Sequence, residues 1–357
     1  MAEAATLLQA IEHLRRGGLV AFPTETVYGL GASALDQSAV RRVFKVKGRP
    51  SHNPLIVHVA HEAMARRVVS NWSDDAQRLA RAFWPGPLTI VAPRHERVPS
   101  VVAGGGDTVA VRCPDHPLAL ELLLRSDLPL VGPSANRSGH VSPTSAEHVR
   151  REFAGQILET ADGTVSQVGP SGLDQIMLLD GGPCRIGVES TVVLITEQPR
   201  ILRPGAIGAS ELSAELGRVV LEATSARADD ARIEPLPSPL ASPGMLDRHY
   251  APRTPAYAFE RHEAGLVLTA LGRLDASSLV FALTEIDVPE PHRLVPLPGA
   301  PAQLATELYA TLRWGDEQES GVMFIELPPS EHTDPIVGAV RDRLRRATMP
   351  IDRFIRG

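Results

Sequence analysis

The sequence predicts an α/β protein of two units: a larger N-terminal unit on a sheet of mixed direction and a smaller C-terminal α/β unit. Three observations carry this. The 357 residues exceed what one hydrophobic core usually serves. Helical and strand-like periodicities alternate through the first part of the chain and again through the last. Between them, from Leu221 to Pro255, periodicity fails, and Pro235, Pro237, Pro239, Pro243 and Pro252 stand among Ser and Ala, the composition of an extended linker. The expected organisation is a catalytic unit over 1–208, a linker over 209–255 and a second α/β unit over 256–357.

Leu7, Leu8, Ile11 and Leu14 recur at helical spacing, and Gly17-Gly18 ends that helix before an apolar strand at Leu19 to Phe22. A helix near Ser38 to Val46 precedes a strand over Leu55 to Val59. Helices within 61–83 lead to strands at Leu88 to Ala92 and Val109 to Arg112. A helix over His116 to Arg125, a strand over Leu128 to Val131 and a helix near Ser145 to Phe153 follow. Strands at Ile176 to Leu179, Thr191 to Ile195 and Ile201 to Arg203 complete the first unit. Beyond the linker, Gly265 to Ala270 and Leu279 to Leu283 read as strands, Ala302 to Arg313 as a helix, Val322 to Leu327 as a strand and Ile336 to Ala347 as a helix. This unit has Rossmann-like alternation, but no GxGxxG supports a dinucleotide.

No apolar run approaches the roughly 20 residues that span a bilayer, and no basic and apolar leader opens the chain, so a cytoplasmic address away from membranes is expected. Cys113 and Cys184 are the only cysteines, too few for a disulfide framework and without zinc-ligand spacing; both read as packing residues. The formal charge of −6 gives no broad electrostatic footprint for nucleic acid, so tight direct RNA binding is not expected. Among 36 basic residues only Lys45 and Lys47 are lysines. In a chain that otherwise uses Arg, this points to a place needing a compact ammonium rather than a planar fork.

Seven segments carry chemistry-bearing residues. FPTETVYGLGA, Phe22 to Ala32, ends an apolar strand in hydroxyls and glycines; it reads equally as a small polar ligand site or as a turn. FKVKGRPSHNPLIVHV, Phe44 to Val59, sets Lys45, Lys47 and Arg49 at every second position. In an extended chain that spacing puts three cations on one side, a clamp for phosphate, against the reading as a solvated face. In TVAVRCP, Arg112 ends a strand where its fork suits a carboxylate, or else a surface ion pair. PLVGPSANRSGHVSPT, Pro129 to Thr144, offers Ser134, Asn136, Ser138 and Ser142 to phosphate, or is a turn-rich loop. GVESTVV and ILRPG repeat the design of polar residues bordering short strands. SPGMLDRHYAP places His249 and Tyr250 in the proline-rich stretch, as a lid or a passive linker.

Taken in order, FPTETVYGLGA, KGRP with NPLIVHV, FWPGPLT, PSANRSG, ESTVV and SPGMLDRHYAP resemble the threonylcarbamoyl-AMP synthases of the YrdC-like family, in the long form with a C-terminal domain. The resemblance covers about residues 5 to 255 and implies a YrdC-like twisted mixed sheet with helices, joined to the smaller Rossmann-like unit. It implies that L-threonine, bicarbonate and ATP, with Mg²⁺ accompanying ATP, give threonylcarbamoyl-AMP and pyrophosphate. A downstream transferase complex then uses the product to modify tRNA adenosine beside the anticodon. By motif it places Lys47, Arg49, Ser134 and Asn136 at the catalytic centre. Thr26, His58, Arg112 and Ser190 would hold threonine. Arg49, Asn53, Thr108, Ser134, Ser142, Arg203, His249 and Tyr250 would contact ATP. It names no metal ligand.

Two other readings remain. A carbamoyl-adenylate-handling enzyme of related fold would carry metal-ligating histidines in an added domain, whereas 256–357 holds only His262, His292 and His332, widely spaced. A non-catalytic RNA-binding protein would place a basic cleft along a phosphate backbone, which the acidic balance disfavours.

Overall fold

The structure, a computed structural model, describes residues 2–158, 172–222 and 250–356. They divide into two compact units. The first takes in the described residues up to 138, 143–185 and 189–222; the second takes in 139–142, 186–188 and 250–356.

The first unit is built on nine strands: β1 (Leu19–Phe22), β2 (Gly29–Ser33), β3 (Ile56–His58), β4 (Leu88–Pro93), β5 (Thr108–Arg112), β6 (Leu130–Val131), β7 (Ile176–Leu178), β8 (Thr191–Leu194) and β9 (Arg200–Arg203). They order as β7-β1-β2-β6-β3-β5-β4-β8-β9. The β7/β1, β3/β5 and β4/β8 pairs are parallel and the other neighbours antiparallel, so the sheet is of mixed direction, as expected.

Among the described residues seven α-helices flank these strands: α1 (Ala2–Arg15), α2 (Gln37–Lys47), α3 (Glu62–Ala65), α4 (Asp74–Phe83), α5 (Pro117–Ser126), α6 (Ala146–Glu152) and α7 (Ala209–Leu216). Leu7, Ile11 and Leu14 of α1 join Leu122 and Leu123 of α5 over Val20, Phe22, Leu130 and Met177. Val40 and Val43 of α2, Leu79 of α4 and Val149 of α6 close a larger core with Val57, Val109 and Val111. Ala110 falls in a separate cluster with Ile56 and Val192, the alternation of a strand buried on both faces.

The sequence reading does not contain β2. Its residues are Gly-Leu-Gly-Ala-Ser, and the glycines read as punctuation. Here they admit the Phe22 ring, which lies 2.9 Å from where a Cβ on Gly31 would stand. Residues 209–222, counted above with the linker, begin with α7, whose Leu212 and Leu216 belong to the first unit's core, and end on a bridge between Leu221 and Arg200. The rest of the linker up to His249 lies outside the described residues.

The second unit carries a parallel sheet of β10 (Ala256–Phe259), β11 (Leu279–Ala282), β12 (Arg293–Pro296), β13 (Met323–Glu326) and β14 (Met349–Pro350), in the order β12-β11-β13-β10-β14. Its helices are α8 (Ala264–Leu271), α9 (Pro301–Glu317), α10 (Pro335–Ala347) and α11 (Ile351–Arg356). The parallel α/β unit is as expected, with β13 rather than β10 beside β11, unlike the doubly wound 3-2-1-4-5-6 order. One element differs in kind: Gly265 to Ala270, read as a strand, lies inside α8. A short continuous apolar run fits either state, and burial of Val267, Ala270 and Leu271 against Phe259 and Val280 selects the helix.

Candidate active site

Two clusters of buried polar side chains stand in the first unit. One grows from β3 and β5, parallel neighbours whose last residues, His58 and Arg112, are register partners. Arg112 is 3% exposed and its fork is engaged on three sides. Nε donates to the Gly86 carbonyl at 3.2 Å, Nη1 donates to Thr26 Oγ1 at 2.8 Å, and Nη2 lies 2.7 Å from Glu25 Oε1. The hydroxyls behind Thr26 form a one-way chain. Thr24 Oγ1 donates to the Val27 carbonyl at 2.7 Å, so the 2.9 Å contact between the two threonines is a bond that Thr26 donates and Thr24 accepts. Thr26 thereby presents its oxygen to Arg112. Held in plane by Gly86 and Thr26, the guanidinium is a directed donor for a planar anion such as a carboxylate.

His58 packs edge-on to Phe22, with ring centres 5.5 Å apart at 84°. Its Nδ1 has no hydrogen-bond partner among the described residues and lies against Gly132, where a Cβ would come within 2.5 Å of it. Burial, and then the charge of Arg112, hold this imidazole well below its usual pKa of 6.5, so it is neutral. Ser190, just before β8, meets Thr89 Oγ1 at 2.7 Å. It also takes two bonds from Arg203 at the end of β9, Nη2 to its Oγ at 3.0 Å and Nε to its carbonyl at 3.1 Å.

The second cluster forms where α2 stops. Gly48 caps the helix at φ 61°, a left-handed turn that glycine adopts without strain, and its N–H closes on Lys45 and Phe44 carbonyls. Lys47, the last helical residue, is 2% exposed; its Nζ donates to the Ser134 carbonyl at 2.5 Å and to the Asn136 carbonyl. The 133–138 loop is fixed by backbone bonds: Leu30 N–H to Pro133, Ala135 N–H to Tyr28 and Ser138 N–H to Lys47. Arg49 donates from Nε to the Asn53 carbonyl at 3.3 Å and from Nη2 to Pro54 at 2.9 Å. Asn53 is fully buried, and neither amide atom has a hydrogen-bond partner among the described residues. Burial, and then Arg49, hold the Lys47 ammonium well below its usual pKa, with Glu152 opposing. Two adjacent buried cations favour the arrival of an anion.

The structure corrects one expectation. Lys45, Lys47 and Arg49 do not line one side of an extended strand, because α2 runs through Lys47 and positions two apart on a helix face opposite ways. Lys45 is exposed and pairs with Asp174 at 2.6 Å, while Lys47 and Arg49 are buried. Of the other sequence-derived candidates, Ser134 and Asn136 meet Lys47 through their carbonyls, and Asn136 Nδ2 donates to the Arg137 carbonyl at 2.8 Å. Thr108 stands at the opposite end of β5 from Arg112, about 13 Å along the strand. Ser142 and Tyr250 belong to the second unit. There Tyr250, at φ 65° and 1% exposed, stacks on Tyr309 at 5.8 Å with the Arg343 guanidinium 5.5 Å from its ring centre. His249 lies outside the described residues. Cys113 and Cys184 are free and buried, with burial pushing both thiols up to about 12, which fits the packing role read from sequence.

Sequence reasoning passed over Glu25 and Thr89, the partners of Arg112 and Ser190. A carboxylate between two threonines in FPTETVYG was the available signal for Glu25. Among the described residues there is no group of three or more His, Cys, Asp or Glu that could hold a metal ion.

Comparison with known proteins identifies the family. The Sua5/YciO/YrdC family model, described as telomere recombination, matches residues 12–205, and the model for the C-terminal domain of threonylcarbamoyl-AMP synthase matches 212–348. The threonylcarbamoyl-AMP synthase of Pyrococcus abyssi is 46% identical over 242 residues, covering 67% of this chain and 63% of that protein. The Bacillus subtilis enzyme of the same name is 41% identical over 251 residues, covering 70% and 65%. The chain thus spans less than two thirds of the length of these curated relatives. The crystal structure of P. abyssi Sua5 complexed with L-threonine superposes with a TM-score of 0.79 at 35% identity, covering 96% of this chain and 94% of that one. With both models matched in order and these relatives beside them, the chain belongs to the Sua5/YciO/YrdC family, in the form that carries the threonylcarbamoyl-AMP synthase C-terminal domain.

Proposed function

We propose that this protein is an L-threonylcarbamoyladenylate synthase, which converts L-threonine, bicarbonate and ATP to threonylcarbamoyl-AMP and pyrophosphate for threonylcarbamoyladenosine formation in tRNA. The observation that carries the reading is that one unit holds both a buried carboxylate site, Arg112 with Thr26, and a buried cationic site, Lys47 with Arg49, beside the unpartnered amide of Asn53. The reaction requires this pairing. Threonine's amine captures CO₂ from bicarbonate to give an N-carboxylate, whose oxygen attacks the α-phosphorus of ATP as the bond to the β-phosphate oxygen breaks and pyrophosphate leaves. Anion approaches anion, so fixed cations and positioning do most of the work, with no covalent enzyme intermediate.

In this reading Arg112 anchors the threonine carboxylate and Thr26 holds threonine through Arg112, by orienting the guanidinium, while neutral His58 and the Ser190–Thr89 hydroxyl pair line the site without adding charge. Lys47, with two of its three N–H groups on fixed carbonyls, turns the third to phosphate. Arg49, Asn53, Thr108, Ser134 and Arg203 would be the first unit's ATP contacts, and Mg²⁺ would enter on the phosphates. The product would pass to a tRNA threonylcarbamoyl transferase complex. Pyrophosphate release measured with ATP, bicarbonate and Mg²⁺ tests the reading: L-threonine should stimulate it at least about tenfold over no amino acid. Release without threonine dependence would refute it.

A further inference from the structure

Glu25 has no part in the mechanism just given, yet it is the most deeply buried acid of the Arg112 cluster, 1% exposed with Oε1 2.7 Å from Arg112 Nη2. The pair is close but poorly aligned: among the described residues neither carboxylate oxygen receives a directed hydrogen bond, and Nη2 gives none. A buried ionised carboxylate ordinarily accepts two or three such bonds. The plane of the guanidinium is fixed elsewhere, by Nε on Gly86 and Nη1 on Thr26. Orientation and charge balance are therefore separate jobs here. Gly86 and Thr26 perform the first, and Glu25 supplies only charge.

We infer that Glu25 acts through Arg112 as its internal counter-ion, neutralising the buried guanidinium before an α-amino acid binds and sharing it with the amino acid's carboxylate afterwards. The inference rests on Arg112 as the carboxylate anchor proposed above. It has a directional consequence. The incoming carboxylate competes with one already there, so Glu25 stabilises the unliganded protein and weakens amino-acid binding.

Glu25→Gln keeps the shape and removes the charge. It should melt at lower temperature than wild type without ligand and bind L-threonine about tenfold tighter by calorimetry, with a larger threonine-induced melting shift, because the substrate then replaces a lost partner. Threoninamide, which lacks the carboxylate, should show no such gain. A purely structural Glu25 would lower stability and leave threonine affinity unchanged or weaker, and that result overturns the inference. If Glu25→Gln does not fold, Glu25→Gln with Arg112→Met removes both charges and should restore folding; a double variant that stays unfolded shows that Glu25 acts independently of Arg112 and also overturns it. Absence of any threonine response in wild type would refute the functional reading itself, and this inference with it. A responsive wild type with an unresponsive Glu25→Gln would refute this inference alone.

Discussion

Lys47 shows how a residue's chemistry follows from where its chain segment stops. It ends α2 one residue before a left-handed glycine, and its ammonium is sealed between the carbonyls of Ser134 and Asn136. Arg's planar fork cannot take the place of a compact head between two carbonyls, so Lys47→Arg should fail as Lys47→Ala does, each lowering threonine-dependent pyrophosphate release at least about 100-fold. Recovery of activity in Lys47→Arg would show that only charge matters at this position. The rarity of lysine drew attention to Lys45 and Lys47 alike, and of the two the structure leaves Lys45 exposed and buries Lys47. The alternation argument that joined it to Lys45 failed, because local spacing has opposite meanings in a strand and a helix, and the helix extended one residue further than its apolar periodicity showed. Glu25 was passed over for a related reason: a carboxylate's burial is set by a partner 87 positions away, Arg112, and no local pattern carries that.

Elements position these groups through close backbone approach. Gly132 follows β6 and lies under His58, where a Cβ would stand 2.5 Å from Nδ1 and 3.1 Å from the Phe22 ring. Gly132→Ala must therefore tilt the imidazole, and we expect the KM for threonine to rise about tenfold with that for ATP within about twofold; an unchanged threonine KM would separate His58 from amino-acid binding. Gly48→Ala meets no atom within 4 Å, so its cost is the left-handed backbone alone, about 1 kcal/mol in chemical denaturation. Most helices and core strands were legible because their apolar positions repeat cleanly. The glycine-rich β2 was not, since its side chains give no alternation to read, and α8 was read as a strand because its continuous apolar run suits both states. The order of strands in both sheets depends on pairings distant in sequence and was beyond local pattern.

At the scale of the whole molecule the buried histidines set an acid limit. His13 and His58 are both held below the usual 6.5, chiefly by burial. Above that pH both are neutral folded or unfolded and contribute nothing. Below it the unfolded chain gains protons that the native protein resists, so stability should fall as pH drops from about 6.5 towards the lowered native values. A melting temperature flat from pH 7 to 5 would contradict this, and His58→Gln should blunt the decline. The motifs made the family readable from sequence and named Arg112 and Lys47 within one unit, while the contacts that hold them, Gly86 and Thr26 at Arg112 and the Ser134 and Asn136 carbonyls at Lys47, emerged only from the fold. The most direct test of the pairing of Arg112 with Lys47 is incorporation of ¹⁴C-bicarbonate into a chromatographically resolved nucleotide product. The account predicts a labelled adduct with the mass of threonylcarbamoyl-AMP, formed only when ATP and L-threonine are both present and absent with Arg112→Ala. Label incorporated without threonine, or no labelled nucleotide at all, would contradict it.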